Sequence, residues 1–148
     1  MTAIDCHLPG KCDTLCPVKH FYQTHVRNRE THMHFFVVGL GGAFGAVARY
    51  SISLIPYKGD FPLLTLVTNL IGALVIGFVT GIATKREWSE NTVLFLKTGV
   101  CGGFTTFSTF SLESYTLFQT HRPALAIMYM LLSVILCLAG IFIGVFIA

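Results

Sequence analysis

The sequence predicts an all-α membrane protein with four transmembrane helices, the third of them broken in mid-membrane. Three observations carry that expectation. The chain of 148 residues is 53% apolar and only 11% charged, whereas soluble domains carry about 25% charged residues. Four apolar runs, at about residues 34–54, 61–84, 93–119 and 124–148, each reach the roughly 20 residues that a helix needs to cross about 30 Å of hydrocarbon. Within the third run, CGGFTTFSTF at residues 101–110 places glycines and threonines where an apolar helix would be continuous.

The elements follow in order. Residues 1–32 are polar, rich in His and Cys, and lack apolar periodicity. Without an apolar h-region they are no signal peptide, and they read as an N-terminal extension, disordered or absent from the mature protein, with Met33 an alternative start. Cys12, Cys16, His20 and His25 are metal-ligand types, but their spacing is not a standard zinc pattern. The five cysteines, Cys6, Cys12, Cys16, Cys101 and Cys137, are odd in number and fit no disulfide framework. Residues 33–148 then form one four-helix domain. Its connections, PYKGDFP, KREWSEN and QTHRP, are short and polar. Pro56, Pro62 and Pro123 fall at span edges, where a missing N–H costs least. Trp88 lies between the second and third spans, where interfacial aromatics collect. Gly41/Gly45, Gly77/Gly81 and Gly140/Gly144 are pairs of small residues four apart, a spacing that lets helices approach closely in lipid. GLGGAFG superficially matches a dinucleotide loop, but its third glycine is one place late and no βαβ context surrounds it.

From Met33 onward the cations divide evenly between the two sides. Lys85, Arg86 and Lys97 stand on one, and Lys58, Arg122 and Arg49 on the other. With no bias of the kind that fixes orientation, a chain of this sort can insert both ways round, and oppositely inserted copies can pair as an antiparallel homodimer. The cations at Lys11, Lys19, Arg27 and Arg29 would upset that balance if residues 1–32 are present.

Polar groups inside a membrane are expensive, so each needs a reason. Arg49, the one charge well inside span one, is either a snorkelling anchor or part of a positive vestibule for anions. Asn69 in span two is either interhelical glue or a donor to a ligand. Gly102, Gly103, Thr105 and Thr106 weaken the third helix, and the backbone groups freed there must be buried in protein or coordinate an ion. Carbonyl oxygens suit a small hard cation. Phe107 and Phe110, three apart, share a helix face, and the positive edge of a phenyl ring can face an anion. Core packing is the plainer reading for such a pair. Tyr129, Ser133 and Cys137 form a stripe on the fourth span, either a polar seam between helices or a row of groups along an anion path. No general acid, nucleophile or ATP-binding motif appears, so no enzymatic step is expected, and no basic, aromatic-interleaved patch suggests nucleic acid.

In sequence order, GGAFGAVARY, TLVTNLIGALVIG and GVCGGFTTFSTFSLES closely resemble the Fluc fluoride channels of the CrcB family, over nearly all of the chain from Met33 onward. The resemblance implies a fluoride-specific channel of the inner or plasma membrane that exports cytoplasmic fluoride passively. It implies an antiparallel, dual-topology homodimer with two pores at its interface. It also implies a structural Na⁺ at the dimer centre, held by the carbonyls of Gly102 and Thr105 from both subunits. Asn69, Phe107, Phe110, Tyr129 and Ser133 then belong to the fluoride pore, and Arg49 to its vestibule. Cys137 departs from the pattern, because a hydroxyl would be the better donor at that turn. The alternative, a small multidrug-type four-helix transporter, depends on a carboxylate in span one, where this chain has none; the one acid inside any span is Glu113, late in span three.

Overall fold

In the computed structural model, residues 28–148 are described, and the cysteines and histidines at Cys12, Cys16, His20 and His25 lie outside them. The secondary structure of the described residues is helical: α1 (Asn28–Ser53), α2 (Leu63–Arg86), α3 (Glu90–Val93), a π-helical segment (Leu94–Cys101), α4 (Gly102–Phe104), α5 (Phe107–Gln119) and α6 (Pro123–Ile147). Helix α1 therefore starts five residues before Met33, inside the polar segment. Three helices are long and apolar enough to cross a membrane: His32–Ser53 within α1, Leu63–Arg86 and Pro123–Ile147. The third apolar run is divided into shorter pieces and contributes no single helix of that length.

Local chemistry accounts for the helix ends. Pro62 precedes α2 and Pro123 opens α6, positions where the missing N–H was unpaired anyway. Ser89 caps α3 by accepting the Thr92 N–H at 3.3 Å. Glu87 and His121, at φ 46° and 57°, turn the chain at the ends of α2 and α5.

The register of close contacts gives the topology. Gly41 and Gly45 of α1 face Phe95 and Val100 in turn, and Gly77 and Gly81 of α2 face Ile141 and Val145. So α1 runs parallel to the first half of the third run, and α2 runs parallel to α6. Arg49 and Ser53 of α1 share a small cavity with Thr68 and Leu64 of α2, the descending order of an antiparallel pair. The four runs therefore pass up, down, up and down. An ion pair between Asp60 and Arg122 ties the α1–α2 connection to the α5–α6 turn at one end. It puts Lys58 and Arg122 at that end, opposite Lys85 and Arg86.

All three glycine pairs sit in these seams. A Cβ on Gly45 would lie 2.2 Å from the Val100 carbonyl oxygen, and one on Gly144 would lie 2.3 Å from that of Leu74. Backbone meets backbone there, so no side chain can yield. Gly45→Leu is expected to lower stability in detergent by about 3 kcal/mol, the upper range for overpacking. Gly39, with nothing within 4 Å of its Cβ position, serves as the control, since Gly39→Ala should leave the unfolding midpoint unchanged or raised. The π-helical segment and α4 together add a fourth small pair that the sequence analysis did not single out. Gly99 and Gly103 face Gly41 and Gly42, with virtual Cβ contacts of 2.8 Å to the Gly41 Cα and 2.4 Å to the Gly42 carbonyl oxygen. The main buried cluster, Leu66, Leu117, Ala126 and Tyr129, is joined by Phe61, Phe110, Leu125 and Leu136. Much of the remaining apolar surface points outward, as expected of helices solvated by lipid.

Candidate site beside the break in the third run

The helical path of the third run stops at Thr105 and Thr106. Thr105 has φ −80° and ψ 154°, and Thr106 has φ −146° and ψ 112°; both are extended. Extended backbone within an apolar bundle leaves amide groups to satisfy, and specific side chains do so. The Thr106 N–H donates to Asn69 Oδ1 at 2.8 Å, and Asn69 Nδ2 donates back to the Thr106 carbonyl at 3.2 Å. One amide side chain thus pairs with both backbone groups of Thr106, as a neighbouring strand would. The Thr106 hydroxyl caps α5 by accepting the Thr109 N–H at 3.2 Å. Arg49 Nε donates to the Gly103 carbonyl at 3.4 Å.

These diversions leave two carbonyls without their helical donors. In an unbroken helix the Thr106 N–H would serve the Gly102 carbonyl, and the Thr109 N–H would serve that of Thr105. Asn69 and the Thr106 hydroxyl take those donors instead. The residues present therefore fit a hard cation bound by carbonyl oxygens.

Beside the break lies a cavity of about 320 Å³. Asn69, Phe107, Phe110, Ser133 and Cys137 all line it. The rings of Phe107 and Phe110 have centroids 5.5 Å apart and are tilted by 37°. Phe107 is 79% exposed in the single chain, while Phe110 packs against Tyr129 with centroids 5.2 Å apart. Many hydroxyls of this protein turn their protons back onto their own helix, as Thr68 does to the Leu64 carbonyl and Ser114 to that of Phe110. Ser133 does not: its Oγ is buried and has no hydrogen-bond partner. Its proton can turn toward the neighbouring Tyr129 hydroxyl or toward what enters the cavity.

Three candidate site residues of the sequence analysis, Gly102, Tyr129 and Arg49, do not line this cavity. Tyr129, fully buried, adjoins it through Phe110, and its hydroxyl donates to Glu113 Oε2 at 2.8 Å. Arg49 lies across the break, in a cavity of about 50 Å³ shared with Thr65, Thr68, Thr106 and Thr109. Among the described residues, no group of three or more His, Cys, Asp or Glu side chains is placed to hold a metal.

The family model described as CrcB-like protein, Camphor Resistance (CrcB), matches residues 36–145. The chain belongs to the CrcB family. A CrcB relative from Azobacteroides pseudotrichonymphae is 41% identical over 113 residues, covering 74% of this chain and 90% of its own, and is named a fluoride-specific ion channel. Relatives with the same designation come from Methanococcus maripaludis, 41% identical over 109 residues with 73% and 89% covered, and from Clostridium acetobutylicum, 38% identical over 119 residues with 78% and 98% covered. The chain is thus a multi-pass membrane protein of the CrcB family. One site residue escaped the sequence analysis. Glu113 accepts from the Thr65 hydroxyl at 2.7 Å as well as from Tyr129, joining α2, α5 and α6 on one carboxylate. The signal was an acid within an apolar run, read only as the absence of a span-one carboxylate.

Proposed function

We propose that this protein is a fluoride-specific channel that lets cytoplasmic fluoride leave passively across the inner or plasma membrane, without an enzymatic step. One observation carries the reading: the cavity beside the break gathers a free hydroxyl (Ser133), an amide (Asn69) and two phenyl rings (Phe107, Phe110), with no formal charge among these four. Hydroxyl protons, amide protons and ring edges all present positive potential to a small anion. Because they are weak individually, the anion can enter and also leave, as conduction requires. Hydrogen fluoride crosses membranes as a neutral acid and dissociates inside, so a passive route for the anion, helped by a membrane potential negative inside, relieves its accumulation. Arg49 stands on the other side of the break as the cation of a vestibule.

A single chain leaves Phe107 on its surface, and a second copy would cover it. The even division of Lys58 and Arg122 against Lys85 and Arg86 suits insertion in both orientations, hence an antiparallel homodimer with two pores at its interface. In that assembly the third run is a span broken in mid-membrane. The carbonyls of Gly102 and Thr105, whose helical donors are diverted, would hold Na⁺ at the dimer centre, and a bound Na⁺ would neutralise carbonyl dipoles there and tie the copies together.

The test is reconstitution in liposomes, with fluoride and chloride efflux followed by ion-selective electrodes. Rapid fluoride loss with negligible chloride loss is expected. Equal rates for the two anions would end the selectivity assignment, and loss of neither would end the channel assignment.

A further inference from the structure

Cys137 is unused by the reading above, yet its placement has chemical content. It is one helical turn beyond Ser133 on α6, and both residues line the same cavity. Ser133 is 5% exposed, and its Oγ has no hydrogen-bond partner. A buried oxygen left unpaired, one helical turn from a thiol that lines the same cavity, is a polar atom still to be satisfied. A thiol that can give up its proton suits a soft, thiophilic monovalent ion far better than a hard one.

We propose that Cys137 and Ser133 form a binding site for a thiophilic monovalent cation of the Ag⁺/Cu⁺ class, and that occupancy of this site closes the cavity. Binding breaks the Cys137 S–H bond and forms a sulfur–metal bond. The proton leaves to water, and no oxidant or reductant takes part. The thiolate–cation pair is neutral, so the step places no net charge in an apolar enclosure, where an isolated ion would be costly. The Ser133 oxygen supplies a second, weaker contact. Cys101 is the internal contrast: it is 2% exposed and is not among the residues lining the cavity. The occlusion half of the proposal rests on the channel reading, and the binding half does not.

Both halves are tested on the full chain carrying C6S, C12S, C16S and C101A, which leaves Cys137 as its one thiol, and on the same chain with C137S added. The probe is Ag⁺ in nitrate salts, since silver chloride precipitates whereas silver fluoride is soluble. In detergent, Ag⁺ should protect the Cys137-only chain from N-ethylmaleimide at one equivalent per chain by intact mass, with dithiothreitol restoring labelling. Full labelling in the presence of Ag⁺, or no labelling at all without it, would overturn the site. In liposomes, Ag⁺ should lower fluoride efflux of the Cys137-only chain by at least about tenfold, because an occluded constriction does not conduct. The C137S chain, normalised to its own untreated rate, should respond by less than about twofold. Protection from labelling with undiminished flux would overturn the occlusion. Absence of flux before any Ag⁺ is added would strike the channel reading alone, and the labelling result would still decide the site.

Discussion

Replacing Phe107 with isoleucine should reduce fluoride efflux from liposomes by at least about 100-fold, equivalent to about 2.7 kcal/mol in the barrier, while leaving the elution volume on gel filtration unchanged. Isoleucine keeps an apolar side chain at the position but removes the ring, and with it the positive edge. Phe107 is 79% exposed in the single chain, so its loss costs the monomer fold little, and a fall in flux reports on conduction. Phe110 is a less clean test. It packs on Tyr129 at 5.2 Å and joins the main buried cluster, so Phe110→Ile should also lower stability by about 1 kcal/mol through the lost aromatic pair. The expected pattern is thus loss of flux in both variants, with a lowered unfolding midpoint in the second alone. Retained flux in Phe107→Ile would reduce that ring to packing.

Asn69→Leu should be the most damaging single change at the break. It removes both partners of Thr106 at once, the acceptor at 2.8 Å and the donor at 3.2 Å. In hydrocarbon no water replaces them. Each unsatisfied buried group costs about 1–3 kcal/mol, and because Thr106 is only half-buried the low end applies, giving about 2 kcal/mol for the two. Asn69→Asp retains an acceptor for the Thr106 N–H and loses the donor to the carbonyl. An equilibrium unfolding series in detergent should therefore rank the chains wild type, Asn69→Asp, Asn69→Leu, in falling stability. Equal stability of all three would mean that Thr106 finds other partners and that Asn69 is not what holds the break open.

The parts of this fold that were legible in the sequence are those set by local spacing. The pairing of Phe107 with Phe110 follows from a three-residue separation on one helix, and the seams at Gly45 and Gly144 from small residues four apart. What was not legible depends on partners distant in the chain. Asn69 and Thr106 are 37 residues apart, and nothing local says that an amide in one apolar run completes the backbone of another. The Gly99/Gly103 seam has the right spacing, but it lies at the end of π-helical turns, which no residue pattern announced. Glu113 shows a related limit. The sequence marked it as an acid in an apolar setting, yet only the fold brings Thr65 and Tyr129 to its two oxygens.

The interruption at Thr105–Thr106 also bears on biogenesis. The third run is the poorest candidate to enter a bilayer unaided, since it carries Lys97, Glu113 and backbone amides that its own helix does not satisfy. Asn69 and Arg49, which bond those amides and the Gly103 carbonyl, and Thr65, which bonds Glu113, all precede it in the chain. During synthesis the helices that complete the third run are made before it emerges. Only Tyr129, the second ligand of Glu113, arrives afterwards, so the fourth helix is the clasp that closes a segment already chaperoned by its predecessors.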